Sequence, residues 1–230
     1  MTAKYFKSFL LLVPFAFVLA CSSDYSNNNN ATIEDASRPS DPITLGDVRI
    51  GTQVWMARNL NVSRYRNGDP IPQVTDPTQW EDLTTGAWCY YENNTANRTT
   101  YGKLYNWYAV NDPRGLSPVG YHIPSDNEWT LLTTSLGGQG VAGGKMKATI
   151  SWNSFPGISN TNSSRFTGLS GGFRQYYGAF SSIGNYGYWW SSSEYSDGSV
   201  WIRGLLYDYG SVGRSYYDKQ NGFSVRCLRD

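Results

Sequence analysis

Between residues 119 and 138 the apolar positions Trp129, Leu132 and Leu136 recur at spacings of three and four, which places them on one face of a helix. The boundaries are marked as clearly as the face. Ser125 and Glu128 form an S-x-x-E capping box, Pro124 keeps Ile123 out of the helical region, and Gly137-Gly138 offers the left-handed residue that ends a helix. One amphipathic helix over 125–136 is predicted.

Elsewhere the period falls to two. Val48, Ile50, Val54 and Met56 alternate with polar neighbours around Gly51-Thr52, which predicts an opening hairpin within 47–60. Asp76-Pro77 before Trp80 and Leu83 predicts a short capped helix. The aromatic runs 86–91 and 102–110 suit a pleated surface and are read as strands. After the helix, runs at 172–177, 188–195, 200–207 and 222–228 predict further strands, separated by long Gly- and Asn-rich connections at 154–164 and 180–187. In the last run Phe223, Val225 and Cys227 point one way and Ser224 and Arg226 the other, the pattern of a half-buried antiparallel strand. Short strands with few helices give an α+β domain.

The first twenty residues stand outside that pattern. Lys4 and Lys7 precede an apolar run from Phe9 to Leu19 that is too short to span a bilayer, so residues 1–20 are read as a signal peptide. The run ends Val18-Leu19-Ala20-Cys21, which resembles the lipobox of bacterial lipoproteins, with Cys21 the lipidated residue. Ser22 after the cysteine is similar to the sorting pattern for the outer membrane, facing either the periplasm or the exterior. Residues 21–41 are too polar to bury a core and read as a tether, leaving 42–230 as one domain. Without Lys4 and Lys7, 17 of the 19 basic residues remain against 18 acidic ones. So balanced a charge argues against nucleic acid as a partner.

With Cys21 lipidated, Cys89 and Cys227 are the remaining cysteines in an oxidising compartment, and a disulfide between them is expected. It would be worth up to about 5 kcal/mol on the chain-entropy model. The alternative is two buried free thiols packed as small hydrophobes.

Six blocks, WMARNLNVSRYRNGDPIP, WCYYENN, YGKLYNWYAV, GLSPVGYHIPSDNEWTLL, YWWSSSEY and GFSVRCLRD, follow one another in the order of the Fibrobacter succinogenes major paralogous domain, a bacterial cell-surface family that the chain resembles. The resemblance brings no established activity. A more distant one, of Gly120-Tyr121-His122-Ile123-Pro124-Ser125 and of the Gly222–Cys227 ending, is to the formylglycine-generating enzymes. It implies a C-type-lectin-like fold with short irregular antiparallel strands, one or two helices and long loops. Those enzymes use a close pair of redox-active cysteines, which the region 166–187 lacks.

No nucleophile elbow, Walker loop or zinc spacing is present, and the one histidine, His122, reads as a packed or hydrogen-bonded residue. No enzyme and no cofactor is expected. Calcium is the one metal with a case, from loop carboxylates such as Glu194 and Asp197, but the lectin signatures for it are missing. Nine tryptophans and eighteen tyrosines exceed what the core requires. Trp152, Tyr176, Tyr177, Tyr186, Trp190 and Tyr195, with Glu194 and Asp197, are the candidate ligand-binding residues, since Tyr and Trp suit sugar faces and protein interfaces alike. The expected role is a membrane-anchored surface binding or adhesion module for glycan or protein. A structural subunit of an envelope assembly is the alternative, and an enzyme of the formylglycine-generating type the least favoured reading.

Overall fold

The computed structural model describes residues 46–230, so the signal peptide, Cys21 and the tether at 21–41 lie outside the described residues. The chain opens with the hairpin β1 (Asp47–Ile50) and β2 (Gln53–Met56), turned at Gly51 with φ 60°. Helix α1 (Pro77–Glu81) follows, with Asp76 Oδ1 accepting the Gln79 amide and proline at the first turn, as the sequence predicts. The aromatic runs then give less strand than expected. Only β3 (Trp88–Cys89) and β4 (Leu104–Tyr105) pair, while α2 (Arg98–Tyr101) and α3 (Trp107–Val110) form single turns beside them. Asn106 explains the change: its side chain accepts the Ala109 amide and caps a helical turn inside what reads as a strand.

β5 (Tyr121–His122) leads into α4 (Asp126–Ser135), where both halves of the capping box are made. Gly137 and Gly138 both take positive φ after it. A second helix, α5 (Gln139–Met146), follows where no helix is predicted. The remaining strands are β6 (Gly171–Arg174), β7 (Phe180–Ile183), β8 (Tyr186–Ser196), β9 (Ser199–Leu206), β10 (Val212–Asp218) and β11 (Leu228–Arg229). β7 and β10 are not in the predicted set, and the predicted strand at 222–228 shrinks to β11, preceded by isolated bridges. Three sheets result, ordered β1-β2-β11-β5, β10-β9-β8-β6-β7 and β3-β4. The fold is thus α+β, mostly sheet with short helices.

α4 packs its apolar stripe on the first sheet. The Trp129 ring lies 4.7 Å from that of Trp55, and Phe166, Trp189 and Leu228 belong to the same cluster. A second cluster gathers Tyr105, Trp190, Phe223, Val225 and Cys227 between the sheets. Residues 223–227 are buried on both faces, not one. Arg226 is tolerated there because its guanidinium donates to the Met56 carbonyl at 3.0 Å, to Asn59 Oδ1 at 2.9 Å and to the Phe166 carbonyl.

Arg174 and Lys147 repeat the device. Arg174 binds the carbonyls of Val74, Thr75 and Gly178 under the Trp80 ring, and Lys147 Nζ binds those of Leu206 and Tyr209, each at 2.7 Å. Long loops leave backbone acceptors without ladder partners, and these buried cations supply the donors.

The expected Cys89–Cys227 disulfide is not formed. Both residues are free and buried, Cys89 in a small cluster with Trp80 and Leu104 and Cys227 in the main core beside Tyr105. The strand pairing carries them into separate clusters, and burial pushes both thiols up to about 12. They are packed as small hydrophobes, the second of the two readings.

Candidate functional site

β8, β9 and β10 form a meander whose one face turns Val200 and Ile202 into the core. Residues of opposite parity point to the other face, which α4 and its cluster cover at Arg203 and Leu205 and which is open only toward Trp201. Trp201 and Tyr216 sit directly across from each other in the ladder, and so do Arg203 and Arg214. Tyr195 joins them from β8, where register shifts between Trp190 and Ser196 break the pairing and re-aim the strand.

The three rings form one cluster. Tyr195 and Tyr216 stack at 4.0 Å and 10°, and both stand edge-on to Trp201, Tyr195 at 4.8 Å. Each tyrosine is 49 % exposed, and neither hydroxyl has a hydrogen-bond partner among the described residues. The Arg214 guanidinium carbon lies 3.4 Å from the Trp201 centroid, a cation on an aromatic face.

The N-terminus of α4 holds that arginine in place. Asp126 accepts from Arg214 Nη2 at 2.9 Å and from the buried Arg203 Nη1 at 2.7 Å. Partial burial works to raise the Asp126 carboxyl, but hydrogen bonds from Arg214 and Arg203 outweigh it and keep it below its ordinary value. The cluster is therefore a preorganised aromatic surface with a fixed cation.

The sequence candidates divide on inspection. Tyr195 belongs to the face, whereas Glu194, opposite Val200 in the ladder, points to the other side of the sheet and pairs with Lys219 at 3.0 Å. Asp197 is exposed in the turn between β8 and β9. Tyr176 and Tyr177 are exposed and pack edge to face on a separate turn, after β6. Trp152 is partly buried, with its indole N–H donating to the Gly168 carbonyl, and Tyr186 packs on the core. Trp190 is corrected: it is fully buried, donates to the Tyr105 carbonyl at 2.7 Å and lies 4.5 Å from the Phe223 ring. The bulge after it turns β8 outward only later, so it has no surface to offer. Trp201, Tyr216 and Arg214 are absent from the sequence candidates. The alternation of Val212, Arg214 and Tyr216 is the signal that finds two of them, once β10 is read as a strand.

The histidine stands apart. His122 Nδ1 lies 2.8 Å from Asp230 Oδ1 and Nε2 lies 2.9 Å from Glu128 Oε1, at an open groove of about 590 Å³ between α4 and the first sheet. Burial works to lower its pKa, yet the two carboxylates prevail and raise it above the ordinary histidine value. With both ring nitrogens on carboxylates, it has no hydroxyl or thiol to activate. Among the described residues no group of three metal-ligating side chains converges, and no helix is long and apolar enough to cross a membrane.

No curated protein and no solved structure matches the chain. A family model does: the one described as the Fibrobacter succinogenes major domain matches residues 48–229, from the first strand of the opening hairpin to the last residue of β11, and the chain belongs to that family.

Proposed function

We propose that this chain is a non-catalytic, lipid-anchored binding module of the bacterial outer membrane, and that Tyr195, Trp201, Tyr216 and Arg214 form the face that meets a glycan or protein ligand. The observation that carries the reading is the cluster itself. Tyr, Trp and Arg are the side chains that concentrate binding energy at the centres of interfaces, and here they are held in fixed orientation. The lipobox at Cys21 and the polar tether support presentation away from a membrane. The non-catalytic part rests on the engaged His122 and on two thiols that burial keeps protonated, unlike a redox pair of the formylglycine-generating type.

The same reading takes the scaffold as C-type-lectin-like. In support, the Gly222–Cys227 ending runs straight into β11, whose Leu228 pairs with His122 of the other segment in the first sheet.

Binding of the full chain to glycan and protein arrays tests the proposal. Tyr216→Ala and Trp201→Ala are expected to weaken capture at least about tenfold, as truncating an interface anchor does. Tyr176→Ala is expected to leave it unchanged. Capture that survives both substitutions in the cluster, or no capture on either array, would overturn it.

A further inference from the structure

β10 lies at the edge of the five-stranded sheet and pairs with β9 over seven consecutive residues, without a register shift. Such an edge offers a row of backbone donors and acceptors to another strand, and proteins that stay monomeric blunt it with proline, bulges, lysines or a covering element. β10 has none of the first three. α5 crosses only at its start, where Gly143 meets the carbonyls of Gly210 and Ser211. From Arg214 to Tyr216 the strand is exposed, and no backbone hydrogen bond from outside the ladder reaches 212–217 among the described residues. Of the strand's two charges, Arg214 is turned onto Trp201 and bound to Asp126, so it does not guard the edge, and Asp218 stands at the last position of the strand.

We infer that β10 is an assembly edge, and that it pairs antiparallel with β10 of a second copy of this chain about a two-fold axis at Ser215. The occupant follows from hydrogen bonding and register. An edge is satisfied by an extended strand, and a two-fold at Ser215 overlaps all seven residues of both copies. It sets Arg214 of each beside Tyr216 of the other, Gly213 against Tyr217 and Val212 against Asp218, so no like charges are opposed. A two-fold at Arg214 would oppose like charges, which is unfavourable across strands, and one at Tyr216 would pair only five residues. Edge pairing extends the sheet without covering the rings of Tyr195, Trp201 and Tyr216. The two aromatic clusters then lie on one continuous surface, whatever ligand that surface takes.

Sedimentation equilibrium of the full chain in detergent is expected to show a dimer. Ser215→Asp, which puts two carboxylates against each other on the axis, is expected to weaken association at least about tenfold and to leave the far-UV spectrum unchanged. Ser215→Cys is expected to give a disulfide-linked dimer on mild oxidation far faster than Gly198→Cys, placed at the exposed tip between β8 and β9. A chain that stays monomeric, a dimer indifferent to Ser215→Asp, or equal crosslinking at the two cysteines would overturn the inference.

Discussion

Arg214 lies with its guanidinium carbon 3.4 Å from the centre of the Trp201 ring while its Nη2 sits 2.9 Å from an Asp126 oxygen. One arginine thus ties the candidate recognition face on β9 and β10 to the first turn of α4. Asp126 carries more than this exposed pair, because it is also the counter-ion of Arg203, whose side chain is 3 % exposed.

The two partners of Asp126 predict unequal mutational costs. Asp126→Asn leaves Arg203 buried without an anion and removes a carboxylate from a helix N-terminus, at a cost of about 2–3 kcal/mol once the partial exposure of Asp126 is allowed for. Arg214→Ala removes only an exposed partner and is expected to cost less than about 1 kcal/mol. Urea denaturation of both variants checks this; equal losses would show that the buried pair stabilises the fold no more than the exposed one.

His122 makes stability depend on pH in a definite direction. Its folded pKa is raised above the unfolded value near 6.5, so the folded state binds the proton more tightly. The stabilisation is fully present below the unfolded pKa and disappears as pH rises through the folded one, while Glu128 stays ionised throughout. The denaturation midpoint is expected to fall as pH rises above the unfolded value of about 6.5, and His122→Gln to flatten that decline. A midpoint equally steep in the variant would assign the dependence to other groups.

The thiols give a chemical check on the free-cysteine finding. With both raised to about 12, little thiolate exists at pH 8, and the side chains are inaccessible. Ellman's reagent is expected to leave Cys89 and Cys227 untouched in the native protein and to label both in guanidinium without reductant. Absence of labelling in guanidinium until reductant is added would restore the disulfide.

What could be read in the sequence was local. Ser125, Glu128, Trp129 and Leu132 specify α4 through neighbours three and four residues away, and Gly51 and Asp76 mark their turns just as directly. What could not be read depends on distant partners. Arg226 looks like a solvent-facing strand residue until the carbonyls of Met56 and Phe166 converge on it. Asn106 turns an aromatic run into helix, and Trp201 and Tyr216 become a pair only through the β9–β10 register. The candidate face is built mostly from this second kind of information.

Helix α5 shows the same dependence in a form that can be tested. Its sequence, with Gly140, Gly143 and Gly144, reads as a loop because glycine disfavours helix by up to about 1 kcal/mol per residue. Tertiary contact overrides that preference at two of the three. A Cβ on Gly143 would lie 2.3 Å from the Ser211 carbonyl oxygen, and one on Gly144 would lie 2.7 Å from that of Ser159, both backbone atoms without rotamers to yield. Gly140 has nothing within 4 Å. Alanine should therefore act with opposite sign along one helix. Gly140→Ala is expected to stabilise by about 0.5–1 kcal/mol, by helix propensity and a less flexible unfolded chain. Gly143→Ala is expected to destabilise by about 1–3 kcal/mol, by forcing α5 away from the strand that follows Gly210. Thermal unfolding of the two variants side by side measures both, and a Gly143→Ala protein as stable as the parent would mean that this contact does not hold α5 in place.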